Sequence, residues 1–258
     1  MMRISETVKH LIIINVIVWI GALTIGANGD VFNNLFAMHF PKNPAFEPWQ
    51  IITHMFMHAT YDVRGSIIIS HILFNMFALW MFGSPVEYHL GWKRFLFIYI
   101  SAGLGAVALQ VGFYYFQFLP PYESLISSGI TPNEITHALS VGKGFDGITQ
   151  AQFNNLQNIF PVFNASMVGA SGCIMGILVA FGMMNPEAKL MMIFLPIPIK
   201  AKYFIPGIII LDLVSGVTGQ SFFSPSNTAF MAHVGGALTG FIIMWYWKKT
   251  QFNKNRWN

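Results

Sequence analysis

The chain has 258 residues, of which 54% are hydrophobic and only 9% are charged, and its formal net charge is +4. Soluble globular chains carry about 25% charged residues, so this composition excludes an ordinary water-soluble domain. No basic, aromatic-rich patch is present, so a nucleic-acid partner is not expected. Long uncharged runs between short polar stretches predict one all-α polytopic domain over residues 1–258, with the lipid bilayer as its surroundings.

Six apolar runs are predicted to cross the membrane as helices, because a lone strand facing lipid would leave its backbone unpaired. They cover about residues 11–27, 66–82, 95–116, 165–184, 203–218 and 228–247. The first run follows Arg3 and Lys9 without an obvious small-residue cleavage site. This pattern favours a retained signal-anchor helix over a cleaved signal peptide.

The distribution of positive charge predicts the orientation. With the N-terminus in the cytoplasm, 11 of the 14 Lys and Arg residues lie inside and 3 lie outside. Positive charge concentrates on the inner side of membrane proteins, so we expect both termini inside. The long loops, about 30–65 and 117–164, then lie outside. We expect a multi-pass protein of a bacterial inner membrane.

The two outside loops differ in character. The first contains PWQIITHMFMHAT, which is too apolar to extend into water, so we expect it to lie in the interface or pack on the bundle. Its His54 and His58 have the i, i+4 spacing of a helical metal pair, but no Glu follows His54, and we interpret both as structural. In the second loop, TPNE at 131–134 predicts a capping box, and another helix is expected after Gly147.

A few polar side chains fall inside the predicted spans, where they are costly and need a reason. His71 and Asn75 share one face of the second span, Ser171 lies in the fourth and His233 in the sixth. Each of His71, Ser171 and His233 is about five or six residues from the outer end of its span. At ~1.5 Å per residue they should reach one level, roughly 8–9 Å deep.

Small residues indicate which helices touch. Gly172 and Gly176 are four apart on the fourth span, and Ala232, Gly236 and Gly240 are four apart on the sixth. Such stripes let two helix backbones approach closely. If the stripes face each other, the fourth and sixth spans bring their polar side chains together.

This placement predicts hydrolytic chemistry. A neutral His233 near Ser171 would take its proton and activate it as a nucleophile, while His71 and Asn75 would donate to the oxyanion. Asp212, at the ninth or tenth residue of the fifth span, is interpreted as a buried hydrogen-bond acceptor or a residue beside a water-filled cavity. No acid is expected at the level of His233, so the prediction is a Ser–His dyad. The simpler reading of each residue alone is helix packing or interhelical hydrogen bonding.

Four motifs, in order and on the expected helices, resemble those of the rhomboid family of intramembrane serine proteases. They are HILFN at 71–75, GSPVEYHLG at 83–91, GASG at 169–172 and AHVGGALTG at 232–240. The resemblance extends from Trp49 to Gly240. It implies a six-helix bundle that cuts transmembrane proteins with Ser171 as nucleophile, His233 as base, and His71 and Asn75 at the oxyanion, without a metal or other cofactor.

The chain departs from the family pattern at several points. Gln50 stands where Arg usually follows the first-loop Trp, and Met175 stands where a Tyr commonly packs on the base histidine. The segment from His58 to His71 and the loop at 117–164 are also longer than in compact members. That loop is expected to cover the site or help to choose substrates.

Two other functions stay open at this point. One is a rhomboid-like protein that binds transmembrane segments without cutting them, which the intact Ser171 and His233 disfavour. The other is a transporter whose path uses His71, His233 and Asp212. The sequence determines neither the substrates nor the oligomeric state.

Overall fold

A computed structural model describes residues 3–62, 64–192, 195–221 and 228–250 and is mostly helical. The helices are α1 Glu6–Thr24, α2 Asp30–Phe36, α3 Gln50–Thr53, α4 Ser70–Ala78, α5 Ser84–Leu90, α6 Trp92–Ser127, α7 Pro132–Val141, α8 Gln150–Phe163, α9 Ser171–Met184, α10 Ala201–Thr218 and α11 Phe230–Thr250. Two antiparallel pairs add short strands: β1 Met38–His39 with β2 Ser166–Met167, and β3 Lys189–Met192 with β4 Leu195–Lys200. The expected all-α fold therefore also contains small sheets.

Four helices in the described part of the chain, α1, α6, α10 and α11, are long and apolar enough to cross a membrane. The second predicted span corresponds to α4, which continues through a π-helical turn at Leu79–Gly83 into α5. The fourth predicted span corresponds to α9, an apolar helix of 14 residues. Each predicted run thus contains helix, but two of the six fall short of the length that spanning needs in one regular helix.

The centre of the bundle is the contact between α9 and α11. A Cβ on Gly236 would collide with the carbonyl oxygen of Gly172, and one on Gly240 would stand 2.5 Å from the carbonyl oxygen of Gly176. A Cβ added to Gly176 would stand 2.4 Å from the Cβ of Ala102 on α6. The predicted facing of the two small-residue stripes is confirmed, and α6 joins them as a third close partner.

Glu87 on α5 holds the beginning of α1. Its carboxylate accepts hydrogen bonds from Ser5 Oγ at 2.5 Å and from the backbone N–H groups of Thr7 and Val8, both at 3.0 Å. Unpaired N–H groups and the positive end of the helix dipole make a helix N-terminus a favourable place for a carboxylate. Glu87 therefore ties the beginning of α1 to α5.

The loop at about 30–65 packs on the bundle, as expected, and Gln50 is its anchor. The fully buried Gln50 carboxamide accepts from the N–H groups of His39 and Glu47 and donates to the carbonyl groups of Asn34 and Ala45. These four bonds tie three stretches of the loop together. Gln50 thus anchors the loop although the family usually has Arg there.

A second, smaller core lies where α6 extends past the bundle and packs on α7 and α8. We call α7, α8 and the last turns of α6 the cap. The largest buried members of its core are Phe40, Phe118, Leu125, Ile135, Leu139 and Phe163. Both expected helices are confirmed, each beginning with a capping box, Thr131 with Glu134 and Thr149 with Gln152.

Candidate active site

One cavity of about 760 Å³ contains the four residues that the sequence singled out. Its lining includes His71 and Asn75 from α4, Ser171 from the start of α9, and His233 from α11. Polar residues from the first loop, among them Thr60, line it as well. The structure therefore brings the expected site residues together around one space.

Ser171 is the first residue of α9, and contacts with the first loop hold the segment before it. Before it, Met167 pairs with Met38 in the β1–β2 ladder, and Gly169 N–H donates to the carbonyl oxygen of His54 at 3.0 Å. Gly169 has φ +134°, a backbone conformation that favours glycine. The first loop thus fixes the turn that presents Ser171.

The same glycine keeps the space open between two side chains. A Cβ on Gly169 would lie 3.2 Å from His71 Nε2 and 3.5 Å from Ser171 Oγ. The imidazole nitrogen and the hydroxyl therefore face one point in the cavity. The N–H groups of Ser171 and Gly172 stand in the first helical turn, where no preceding helical carbonyl is available, so they can donate to a negative charge there.

The hydrogen bonds of His71 define its tautomer. Ala59 N–H donates to His71 Nδ1 at 3.1 Å, so this nitrogen is an acceptor and the neutral ring carries its proton on Nε2. One turn further on, Asn75 Nδ2 donates to the His71 carbonyl at 2.8 Å, which uses one of its two N–H groups. The cavity therefore receives a donor from His71 and has a second N–H available from Asn75.

His233 has the opposite arrangement. Its Nδ1 lies 2.9 Å from Asp212 Oδ2, with the two side chains 14% and 9% exposed. A carboxylate only accepts, so Nδ1 carries the proton and Nε2 of the neutral ring is a free acceptor. The beginning of α11 is also fixed by Gln110 on α6, whose Oε1 accepts from Ala232 N–H at 3.1 Å.

The expectation that no acid lies level with His233 is wrong, because Asp212 contacts its ring. Asp212 is far from the beginning of its span, but α10 runs in the opposite direction to α9 and α11, so its level relative to His233 is set by its distance from the end of the helix. Asp212 lies six residues before the end of α10 at Thr218, and His233 is the fourth residue of α11, so both lie at the same end of the two helices. The interpretation of Asp212 as a buried acceptor is confirmed.

The predicted depths along the helices also need correction. Ser171 is the first residue of α9 and not the sixth of a longer span, while His71 is the second residue of α4 and His233 the fourth of α11. Residues 165–170 looked helical because they are apolar and small, but the long-range β1–β2 pair holds part of them extended. The three side chains share a level because each lies in the first turn of its helix.

His54 and His58 are buried next to the site, and His54 also lines its cavity. His54 Nδ1 bonds to the Gln50 carbonyl at 2.9 Å, and the His58 ring lies edge-on to His71 with centroids 5.2 Å apart. Burial lowers the pKa of His54 to about 4; burial, and secondarily the charge of His71, lowers the pKa of His58 to about 3. Both rings are therefore neutral at physiological pH. Met175, in the place of the family's Tyr, also lines the cavity.

A comparison with protein-family models decides the family. The Rhomboid domain model matches residues 45–131 and 134–250. The chain belongs to the rhomboid family. As its apolar helices indicate, this rhomboid is an integral, multi-pass membrane protein.

The individual proteins to which the chain is similar also carry rhomboid names. The chain is 26% identical over 209 residues to the mitochondrial presenilin-associated rhomboid-like proteins of Mus musculus and Homo sapiens, which covers 81% of the chain and 40% of each relative. It is 37% identical over 84 residues to rhomboid protease GluP of Bacillus subtilis, or 32% of the chain and 14% of that protein. The alignments thus span about two fifths or less of these relatives. Because they include mitochondrial proteins, they do not support the expected bacterial inner membrane.

Proposed function

We propose that this rhomboid is an intramembrane serine endopeptidase that hydrolyses peptide bonds in or near transmembrane segments of other membrane proteins. Ser171 is the nucleophile, His233 the general base, and His71 and Asn75 donate hydrogen bonds to the oxyanion. The observation that carries the proposal is that Ser171 shares a cavity with two imidazoles of opposite tautomer. Acyl transfer needs both a base and a donor beside the nucleophile.

The first half of the reaction uses both histidines. Ser171 Oγ attacks the substrate carbonyl carbon while its proton passes to His233 Nε2. The carbonyl oxygen becomes an oxyanion, which accepts from His71 Nε2–H, Asn75 Nδ2–H and the N–H groups at the beginning of α9. The C–N bond then breaks, and His233 returns the proton to the leaving amine. An acyl-enzyme on Ser171 remains.

The second half uses water. His233 Nε2 takes a proton from a water molecule that attacks the ester carbon, and the same donors stabilise the second oxyanion. Collapse releases the new carboxyl terminus and returns the proton to Ser171 Oγ. Polar residues in the cavity lining, including Asn28, Asn33 and Thr60, offer water a hydrogen-bonded route from the outer side.

We also propose that the chain forms one domain with six membrane passages and both termini inside. The helix of Ser70–Leu90 and the short α9 supply the two passages that fall short as single regular helices. A short span is compatible with local thinning of the bilayer. The similarity to a protein known as rhomboid protease GluP supports proteolysis over transport or simple binding.

Reaction with a fluorophosphonate probe tests the proposal. We expect the purified wild-type protein in detergent to be labelled, and Ser171→Ala to abolish labelling. The control Ser127→Ala removes an exposed hydroxyl in the cap and should be labelled like wild type. Labelling that persists in Ser171→Ala contradicts the proposal. A labelled protein that cleaves no single-span membrane protein in proteoliposomes would favour binding, and proton flux that survives Ser171→Ala would favour a transporter.

A further inference from the structure

Asp212 has a place in the site that a Ser–His dyad leaves unexplained. It is one of only four buried residues that α10 contributes within its described length, with Ala201, Ile205 and Ser215. Its carboxylate lies 2.9 Å from His233 Nδ1. Within the part of the chain that the structure describes, this ring nitrogen is its one hydrogen-bond partner.

A carboxylate at this position is costly, because a transmembrane helix solvates charge poorly. A neutral residue of similar size would pack α10 against α11 without that cost. The carboxylate accepts a directed hydrogen bond from the base histidine, and an apolar side chain could not accept one. Met175, which also lines the cavity, has only a weakly accepting thioether and cannot replace it.

We propose that Asp212 is a positioning residue that turns the Ser171–His233 pair into a three-membered relay. It holds the proton of neutral His233 on Nδ1, so Nε2 presents its lone pair to Ser171. When the Ser171 proton moves to Nε2, the ring becomes an imidazolium, and the adjacent carboxylate stabilises that charge. In this relay the proton moves only between Ser171 and His233. This inference rests on the proposed peptidase function.

The alternative is that Asp212 only fastens α10 to α11. The two roles differ in what a carboxamide does at this position. The side chain introduced by Asp212→Asn is nearly the same size and could still bond to the ring, so helix packing would survive. The carboxamide could also rotate and donate to Nδ1, which would place the ring proton on Nε2 and remove the base. A purely packing role predicts little effect from this change, whereas a positioning role predicts a large one.

The experiment compares Asp212→Asn with wild type by the rate of fluorophosphonate labelling across pH. Ser215→Ala is the matched control, because it alters another buried side chain on α10, one turn away. We expect Asp212→Asn to lower the labelling rate by roughly 10²–10⁴-fold, with an altered pH profile and an unchanged melting temperature. The control should stay within about twofold of wild type.

Nuclear magnetic resonance of the ring nitrogens gives a readout that is independent of turnover. In wild type labelled with ¹⁵N-histidine, the His233 signals, assigned by their loss in His233→Ala, should show a protonated Nδ1 and a free Nε2. In Asp212→Asn that pattern should be lost. If the Asn variant does not fold, Asp212→Glu and Asp212→Gln replace it as a pair matched in length, and only Glu should retain measurable labelling.

The outcomes separate the two proposals. A labelled wild type with an Asn variant equal to it in rate, pH profile and ring signals overturns the positioning role and leaves the peptidase intact. Equal labelling of the Glu and Gln variants overturns it as well. A wild-type protein that does not react at Ser171 overturns the peptidase and, with it, this inference.

Discussion

His71 and His233 line one cavity with their ring protons on opposite nitrogens. Ala59 N–H occupies Nδ1 of the first ring, whereas Asp212 accepts from Nδ1 of the second. One ring therefore has Nε2–H to donate and the other a free Nε2 to accept. The same side-chain type thus presents a donor in one case and an acceptor in the other, and its neighbours decide which.

This difference predicts the effect of removing the donors. His71→Ala and Asn75→Ala should each lower kcat for cleavage of a membrane substrate by about 10²–10³-fold, because each would remove a donor that we propose for the oxyanion. KM should change little, since the donors act mainly on the transition state. Leu73→Ala, which trims a side chain 58% exposed on the same helix, is the control. A fall confined to KM would contradict the assigned role.

The close contact of α9 and α11 makes a prediction about stability. Gly236→Ala should lower the free energy of unfolding by about 1–3 kcal/mol, because its Cβ would collide with the Gly172 carbonyl and force the helices apart. Thermal melting in detergent measures the effect. Gly112→Ala on α6 is the matched control, since nothing lies within 4 Å of its added Cβ. Equal melting temperatures for the two variants would disprove the close approach.

Because Gln50 anchors the first loop, replacing it should destabilise the protein more than a change at an ordinary loop residue. Gln50→Leu keeps the volume but leaves two backbone N–H groups and two carbonyl groups without their partner, at a cost of about 2–4 kcal/mol. Because the next turn carries His54, whose carbonyl holds Gly169, labelling of Ser171 should fall as well.

Ile52→Ala on the same short helix is the control for Gln50→Leu. Its side chain is 40% exposed and lies two residues away, so both melting temperature and labelling should stay near wild type. A Gln50→Leu protein as stable as this control would show that the four hydrogen bonds contribute no net stability.

The buried first-loop histidines predict a pH dependence of stability. In the unfolded chain they titrate near pH 6.5, whereas in the folded protein the pKa values are about 4 for His54 and about 3 for His58. The two neutral rings therefore give their full contribution to the free energy of unfolding above about pH 6.5. That contribution is lost progressively as the pH falls toward 4. Between pH 7.5 and 5 we expect a loss on the order of 1–2 kcal/mol for each ring.

His58→Phe isolates one of these contributions. Neither nitrogen of His58 has a hydrogen-bond partner in the described structure, so the change removes a titrating group without breaking a bond. Chemical denaturation at pH 7.5 and pH 5 should then show a smaller difference than in wild type. An unchanged difference would mean that His58 does not resist protonation in the folded state.

The sequence predicted the parts of the site that follow local rules. The facing of Gly172 and Gly236 follows from the four-residue spacing of small residues on both helices, and the gathering of His71 and His233 follows from their places near the same ends of their spans. The sequence indicates Asp212 as a buried acceptor but does not pair it with His233, because its level relative to that ring depends on the direction in which α10 runs. The start of α9 was missed because a two-residue strand pair with Met38 is a long-range contact without a local pattern.

The length of α6 has a practical consequence. Its 36 residues make a rod of ~54 Å, of which a bilayer core takes roughly 30 Å, so one continuous helix joins the bundle to the cap. A fluorophore on the cap is therefore a fixed reference point for distance measurements. The chain has a single cysteine, the buried Cys173, so one substitution clears the background for site-specific dyes. A dye pair between the cap and α10 would then report displacement of the helix that carries Asp212.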